Sequence, residues 1–207
     1  MSFIETIPDA QINDEIRAMY ERQKSFWGFV PNYAKVFSHR PELMMLWAQL
    51  QNGIKRHMDK RRFELITFAA AHTLRSTLCS LAHGKALTAF FSPEDVQLMA
   101  RGASPASLTA AEAAMMSFAR KVARGPFAVA AADVAELKKH GFTDAEVFDI
   151  AAAVGARAFW TTVVEALGVE AEPSLRTMEK EFTKALTVGR PIDSAKLNGT
   201  AGAQPVA

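Results

Sequence analysis

Glu64-Leu65-Ile66-Thr67-Phe68-Ala69-Ala70-Ala71-His72-Thr73-Leu74-Arg75-Ser76-Thr77-Leu78-Cys79-Ser80-Leu81-Ala82-His83 holds the signature of two helices joined by a short break. A helix is expected from Lys60 to about His72. Arg75 to Leu78 reads as a break between two helices, with Ser76 as the N-cap of the second. Cys79 then falls in the first turn of that second helix, and His83 lies four residues on. Strand alternation is nearly absent here and elsewhere, so the fold class is read as all-α.

The same signals extend in both directions. Ser92 with Asp95, Thr109 with Glu112 and Thr143 with Glu146 have the spacing of capping boxes, in which a hydroxyl and an acid three residues on pair orphaned amides. Pro93 follows Ser92 at the position a helix-opening proline takes. Gly141 follows Lys138, Lys139 and His140, a helix-ending pattern. Val147, Ile150, Val154 and Ala158 mark one face of a long helix. Another helix is expected from Pro41 to about Arg56, with Leu43, Leu46, Trp47 and Leu50 on one face. Phe29 to Asn32 is a turn entering a helix, Gly102 to Leu108 a small-residue loop, and Gly125-Pro126 a further break. Residues 1–187 are expected to form one domain. From Val188 the composition shifts to glycine, proline and asparagine, so residues 188–207 are expected to be a flexible tail.

With 207 residues and 49% apolar composition, the chain is long enough to bury a core without staples. Lysine plus arginine number 24 and aspartate plus glutamate 22, a net charge of +2. That balance gives no electrostatic case for a nucleic acid or an anionic membrane partner. No run approaches the roughly 20 continuous apolar residues of a membrane helix, and the start carries no secretory pattern. Cys79 is the single cysteine. An intrachain disulfide and a multi-cysteine zinc site are therefore excluded, and a reducing, cytoplasmic location is expected.

The chemistry expected around Cys79 follows from its position. Cys79 and His83, at i and i+4, share a helix face. A thiol in the first turn meets the positive end of the helix dipole, and a neighbouring imidazolium adds to the effect. If the preceding helix folds back, Glu64 approaches His83 and orients its ring, as the third member of a nucleophile–base–orienter set does. Ser76 has a complete structural explanation as a cap. His72, eight residues after Glu64, is a possible site neighbour. A metal site from Glu64, His72 and His83 lacks a tight two-histidine spacing, and no metal or cofactor is expected. The basic cluster Lys55, Arg56, Lys60, Arg61 and Arg62 reads as a solvated helix junction. No glycine-rich phosphate loop, nucleophile elbow or dinucleotide fingerprint is present.

The segment resembles the alkylhydroperoxidase AhpD and carboxymuconolactone decarboxylase superfamily, in its peroxidase-related branch. That motif is a glutamate, eleven residues, Cys-x-x-Cys, three residues and a histidine. Glu64, Cys79 and His83 fall in register, and Ser76 stands where the first cysteine would be. Phe29 to Tyr33, Arg40-Pro41-Glu42, Leu108-Thr109, Leu137 to Gly141 and Ala166 to Val169 extend the likeness over roughly residues 5–175. The resemblance implies an AhpD-like helical bundle and a homo-oligomer. It also implies that Cys79 is the thiolate attacking a small hydroperoxide, with His83 as base and Glu64 as relay acid. Since Ser76 cannot form a disulfide, the oxidised cysteine has to be cleared by an external thiol or thiol protein. Two other readings stay open: a lyase using His83 and Glu64 for proton transfer, and a non-catalytic helical oligomer with a vestigial site.

Overall fold

The computed structural model describes residues 2–193. Ten α-helices account for the described architecture: α1 (Asp14–Trp27), α2 (Asn32–Phe37), α3 (Pro41–Lys55), α4 (Lys60–Thr73), α5 (Thr77–Leu87), α6 (Pro93–Ala100), α7 (Ala110–Arg124), α8 (Ala131–Lys139), α9 (Asp144–Ala166) and α10 (Lys180–Leu186). The all-α class holds among the described residues. One isolated parallel bridge, Ala171 to Ile192, is the sole extended pairing among the described residues.

α4 is the centre. It packs against α5, α7 and α9, and every residue from Phe63 to Ala71 is buried. The composition explains this. Phe63, Leu65, Ile66 and Phe68 fill space, while Ala69, Ala70 and Ala71 let neighbouring helices approach closely. Each large apolar side chain so buried contributes about 1.5–3 kcal/mol before entropy is counted. The turn after α4 is tight. Arg75 takes φ 59°, the left-handed region, and Ser76 N–H donates to the Ala71 carbonyl at 3.0 Å. α5 therefore runs back along α4.

Two of the three expected capping boxes are complete, at Thr109–Glu112 and Thr143–Glu146. At Ser92 only half forms: its hydroxyl accepts from Asp95 N–H, but the Asp95 carboxylate is taken by the Ser107 hydroxyl at 2.8 Å. The basic cluster is not merely solvated. Arg61 grips Glu112 through two nitrogens, at 2.6 and 3.0 Å, and Arg62 reaches Glu146 at 2.9 Å. Adjacent arginines at the start of α4 thus pin the first turns of α7 and α9. Glu112→Ala removes a capping acid and one partner of a largely buried pair, a loss of about 2 kcal/mol. We expect Tm to fall by about 4–8 °C. A shift in thermal unfolding no larger than that of the exposed Glu94→Ala contradicts the role.

The leucine face of α3 is turned away from the core. Leu43, Leu46 and Leu50 are exposed, Trp47 is half-buried, and Met44, Gln51 and Ile54 face the core. α9 is, among the described residues, the one helix long and apolar enough to cross a membrane. A test for unbroken apolar runs misses it because Asp149, Arg157 and Glu165 interrupt the stretch. Its apolarity is used against α3, α4 and α7. Its buried stripe passes through Ile150, Val154, Arg157, Thr161 and Val164, whereas Ala158 is half-buried. Residues 188–193, read from sequence as tail, run back over the α4–α5 turn. Gly189 N–H donates to Thr77 Oγ1 at 3.0 Å, and Asp193 N–H to the Ala171 carbonyl at 2.9 Å. Residues 194–207 lie outside the described residues.

Candidate active site

The hairpin of α4 and α5 brings Glu64 and His83 together, with His83 Nδ1 2.6 Å from Glu64 Oε2. Both side chains are mostly buried. Burial opposes ionisation of Glu64, but His83, Lys55 and Arg157 outweigh it and hold the carboxyl below its usual range. Burial also pulls His83 down, Arg157 and Lys55 add to this, and Glu64 only partly restores it. The two directions agree on one state near neutrality: a Glu64 carboxylate accepting the Nδ1 proton of a neutral ring. Nε2 is then left with a free lone pair, the form of a general base.

This state has a pH signature. A histidine whose folded pKa lies below its unfolded value of 6.5 contributes stability that is complete above about pH 6.5 and declines as pH falls below it. The Glu64 carboxylate adds a loss of the same sign at lower pH. We expect Tm to drop between pH 7 and pH 5, and to drop less in His83→Gln. Parallel curves of Tm against pH for the two proteins contradict the assignment.

Cys79 is 3% exposed. Ser76 caps its helix as expected, its hydroxyl accepting from Cys79 N–H at 3.5 Å. The Ser76 hydroxyl also faces Glu165, whose carboxyl is pushed up by burial against the pull of Ser76 and Arg190. The sulfur's partner is not the expected ring. Among the described residues no hydrogen bond joins Cys79 to His83; instead Arg157 Nη1 approaches Sγ at 3.7 Å. Arg157 is 4% exposed, and its guanidinium lies 5.6 Å from the Trp47 ring. Trp47 stacks on Trp160 at 4.1 Å, and Phe37 and Tyr33 meet Trp160 at 4.7 and 5.2 Å. Burial and Glu172 push the Tyr33 phenol up, with a smaller contribution from Cys79. The buried sulfur thus has a cation as its neighbour, and that cation lies against the Trp47 ring.

Lys55 completes the charged set. Burial pulls its ammonium down and Glu64 pulls it up. His72 does not join. At about 100° per residue, eight residues leave it roughly 80° around the helix from Glu64. Its ring packs on Phe68 and lies toward the Ala185 backbone on α10. Among the described residues no three His, Cys, Asp or Glu side chains converge to hold a metal ion. Arg157 and Lys55 are the residues the sequence reading missed.

Residues 41–121 match the carboxymuconolactone decarboxylase family. The matched span holds Lys55, Glu64, Ser76, Cys79 and His83, while Arg157 lies beyond it. No functionally curated protein matches the chain. Among solved structures, the chain is similar to an alkylhydroperoxidase AhpD core, a peroxidase-related protein of Ralstonia eutropha JMP134. The TM-score is 0.72 at 25% identity, covering 91% of this chain and 98% of that one. A peroxidase-related protein from Silicibacter sp. TM1040 gives 0.72 at 24% identity, over 85% and 94%. The debrominase Bmp8, in complex with 2,3,4-tribromopyrrole, shares the fold at a TM-score of 0.71 and 15% identity, over 88% and 100%.

Proposed function

We propose that this AhpD-like protein is a one-cysteine thiol peroxidase of antioxidant type, reducing small hydroperoxides through Cys79. The observation that carries the reading is the Arg157–Cys79 contact at 3.7 Å beside the Glu64–His83 pair. A guanidinium keeps its positive charge at any working pH, so it faces the sulfur as a cation through the reaction. The charges support this: Arg157 and Lys55 bring two positive charges, Glu64 one negative, and a thiolate closes the balance.

In the first step His83 Nε2 takes the thiol proton, directly or through water. The sulfur attacks the outer oxygen of the hydroperoxide, the O–O bond breaks, and His83 returns its proton to the leaving alkoxide. The products are an alcohol and a Cys79 sulfenic acid. Two external thiols then restore Cys79, giving water and a disulfide. Ser76 is occupied as a cap and cannot take the resolving role. The exposed Leu43, Leu46 and Leu50 on α3 support assembly as a homo-oligomer, and the absence of a second cysteine supports action in the cytoplasm. The deciding experiment follows hydroperoxide consumption by the native chain and Cys79→Ser, with and without added thiol; equal turnover in the two ends the proposal.

A further inference from the structure

Arg157, against Cys79, and Gln51, on α3, are buried donors that each leave a nitrogen with nothing to donate to. Arg157 leaves Nε without a hydrogen-bond partner. Gln51, 4% exposed on α3, leaves Nε2 without one. Gln51 stands one turn from Trp47 and one turn from Lys55, on one face of α3. Trp47 lies under the Arg157 guanidinium, and Lys55 couples electrostatically to Arg157 and Glu64. Gln51 is thus held between two residues that neighbour Arg157. A buried donor left unmade costs about 1–3 kcal/mol. Two of them, one against the sulfur and one on the α3 face that carries Trp47 and Lys55, call for an acceptor brought by a ligand.

The charge count states when an anion is welcome. With Cys79 as thiolate the cluster is balanced. Once the sulfur is a neutral sulfenic acid, Arg157 and Lys55 face Glu64 alone, and one positive charge is in excess. The species that must enter at that moment is the reductant. Its size is bounded too, because a sulfur 3% exposed is reached more readily by a small molecule than by a thiol fixed on another folded protein.

We infer that the external reductant is a small thiol bearing a carboxylate, which Arg157 and Gln51 hold while its sulfur attacks the oxidised Cys79. The inference rests on the peroxidase reading above. The incoming thiolate forms an S–S bond to Cys79 as the sulfenic hydroxyl leaves, taking one proton to become water. A second molecule of the thiol cleaves the mixed disulfide, releasing the symmetrical disulfide and the Cys79 thiol. Two electrons pass from the two small thiols to the sulfenic acid.

Two measurements test this. After one equivalent of tert-butyl hydroperoxide, loss of the sulfenic acid is followed with 3-mercaptopropionate or the neutral 2-mercaptoethanol, at equal thiolate concentration. We expect the carboxylate thiol to react at least about tenfold faster, and the ratio to collapse toward one in Gln51→Leu and Arg157→Met. A ratio of one or less in the native chain overturns the inference. Independently, calorimetry on Cys79→Ser, whose neutral hydroxyl stands in for the neutral oxidised sulfur, compares the same two thiols. 3-Mercaptopropionate is expected to bind at least about tenfold more tightly, and more tightly than to the native chain. Equal binding of the two overturns the inference. If the native chain forms no sulfenic acid, the peroxidase reading fails and calorimetry alone decides the carboxylate site.

Discussion

Cys79→Ser is expected to lower hydroperoxide-dependent thiol oxidation by at least about a thousandfold, equivalent to about 4 kcal/mol in the barrier. The native chain should consume one hydroperoxide per polypeptide without thiol, then stop, because it has no second cysteine to clear the oxidised sulfur. With thiol added, turnover should continue. The serine variant should show neither phase. A hydroxyl is far harder to ionise than a thiol, and Arg157 at this distance cannot make up the difference. Folding is not at issue, since serine is nearly isosteric and Ser76 still caps the helix. The lyase reading predicts the reverse: no stoichiometric hydroperoxide consumption by either protein, and proton-transfer activity that follows His83 rather than Cys79. A native chain that passes no oxygen to Cys79, as judged by mass spectrometry after peroxide, leaves only that reading or the vestigial one.

The parts of the site that sequence made legible are those carried by one continuous run. Glu64, Cys79 and His83 fall within twenty residues, on two helices joined by a turn too short to allow any course but a return. The helical period then fixes which side chains meet. Arg157 was hidden because it comes from a helix 78 residues further on, and helix-to-helix pairing has no local code. A signal did exist. Arg157 interrupts the stripe Ile150, Val154, Thr161, Val164, and a charge on a buried stripe is costly unless a partner awaits it. Reading that stripe through Ala158, one residue off, removed the anomaly and with it the clue. α3 makes a related point. Periodicity groups Leu43, Leu46, Trp47 and Leu50 on one face but does not give the direction in which that face points, and it is Met44, Gln51 and Ile54 that turn inward. His72 shows the opposite lesson, since its angular offset from Glu64 was available from arithmetic alone.

Arg157→Met should separate reactivity from stability. At 3.7 Å, a guanidinium and a thiolate attract by about 4 kcal/mol at an effective dielectric of about 20. Lys55 still faces the cluster, and side chains relax, so about half of this should register. Alkylation of Cys79 by iodoacetamide at pH 7 is then expected to slow about thirtyfold, which corresponds to about 2 kcal/mol, and peroxidase turnover should fall in step. Stability should move little, because methionine fills the same space and a sulfur without its cation can take a proton and rest as a neutral thiol, leaving no unpaired buried charge there. The idle Nε, which nothing in the fold satisfies, disappears with the charge. Arg157→Lys should recover part of the alkylation rate: it restores a positive charge beside the sulfur, while losing the planar fork that places Nη1 against Sγ. A purely structural arginine predicts the opposite pattern, with Tm dropping by several degrees and the alkylation rate unchanged or raised as the site loosens. Unchanged alkylation in Arg157→Met, with the native Tm retained, removes the guanidinium from the chemistry. The imidazole one turn along α5 would then have to generate the thiolate without a cation beside the sulfur.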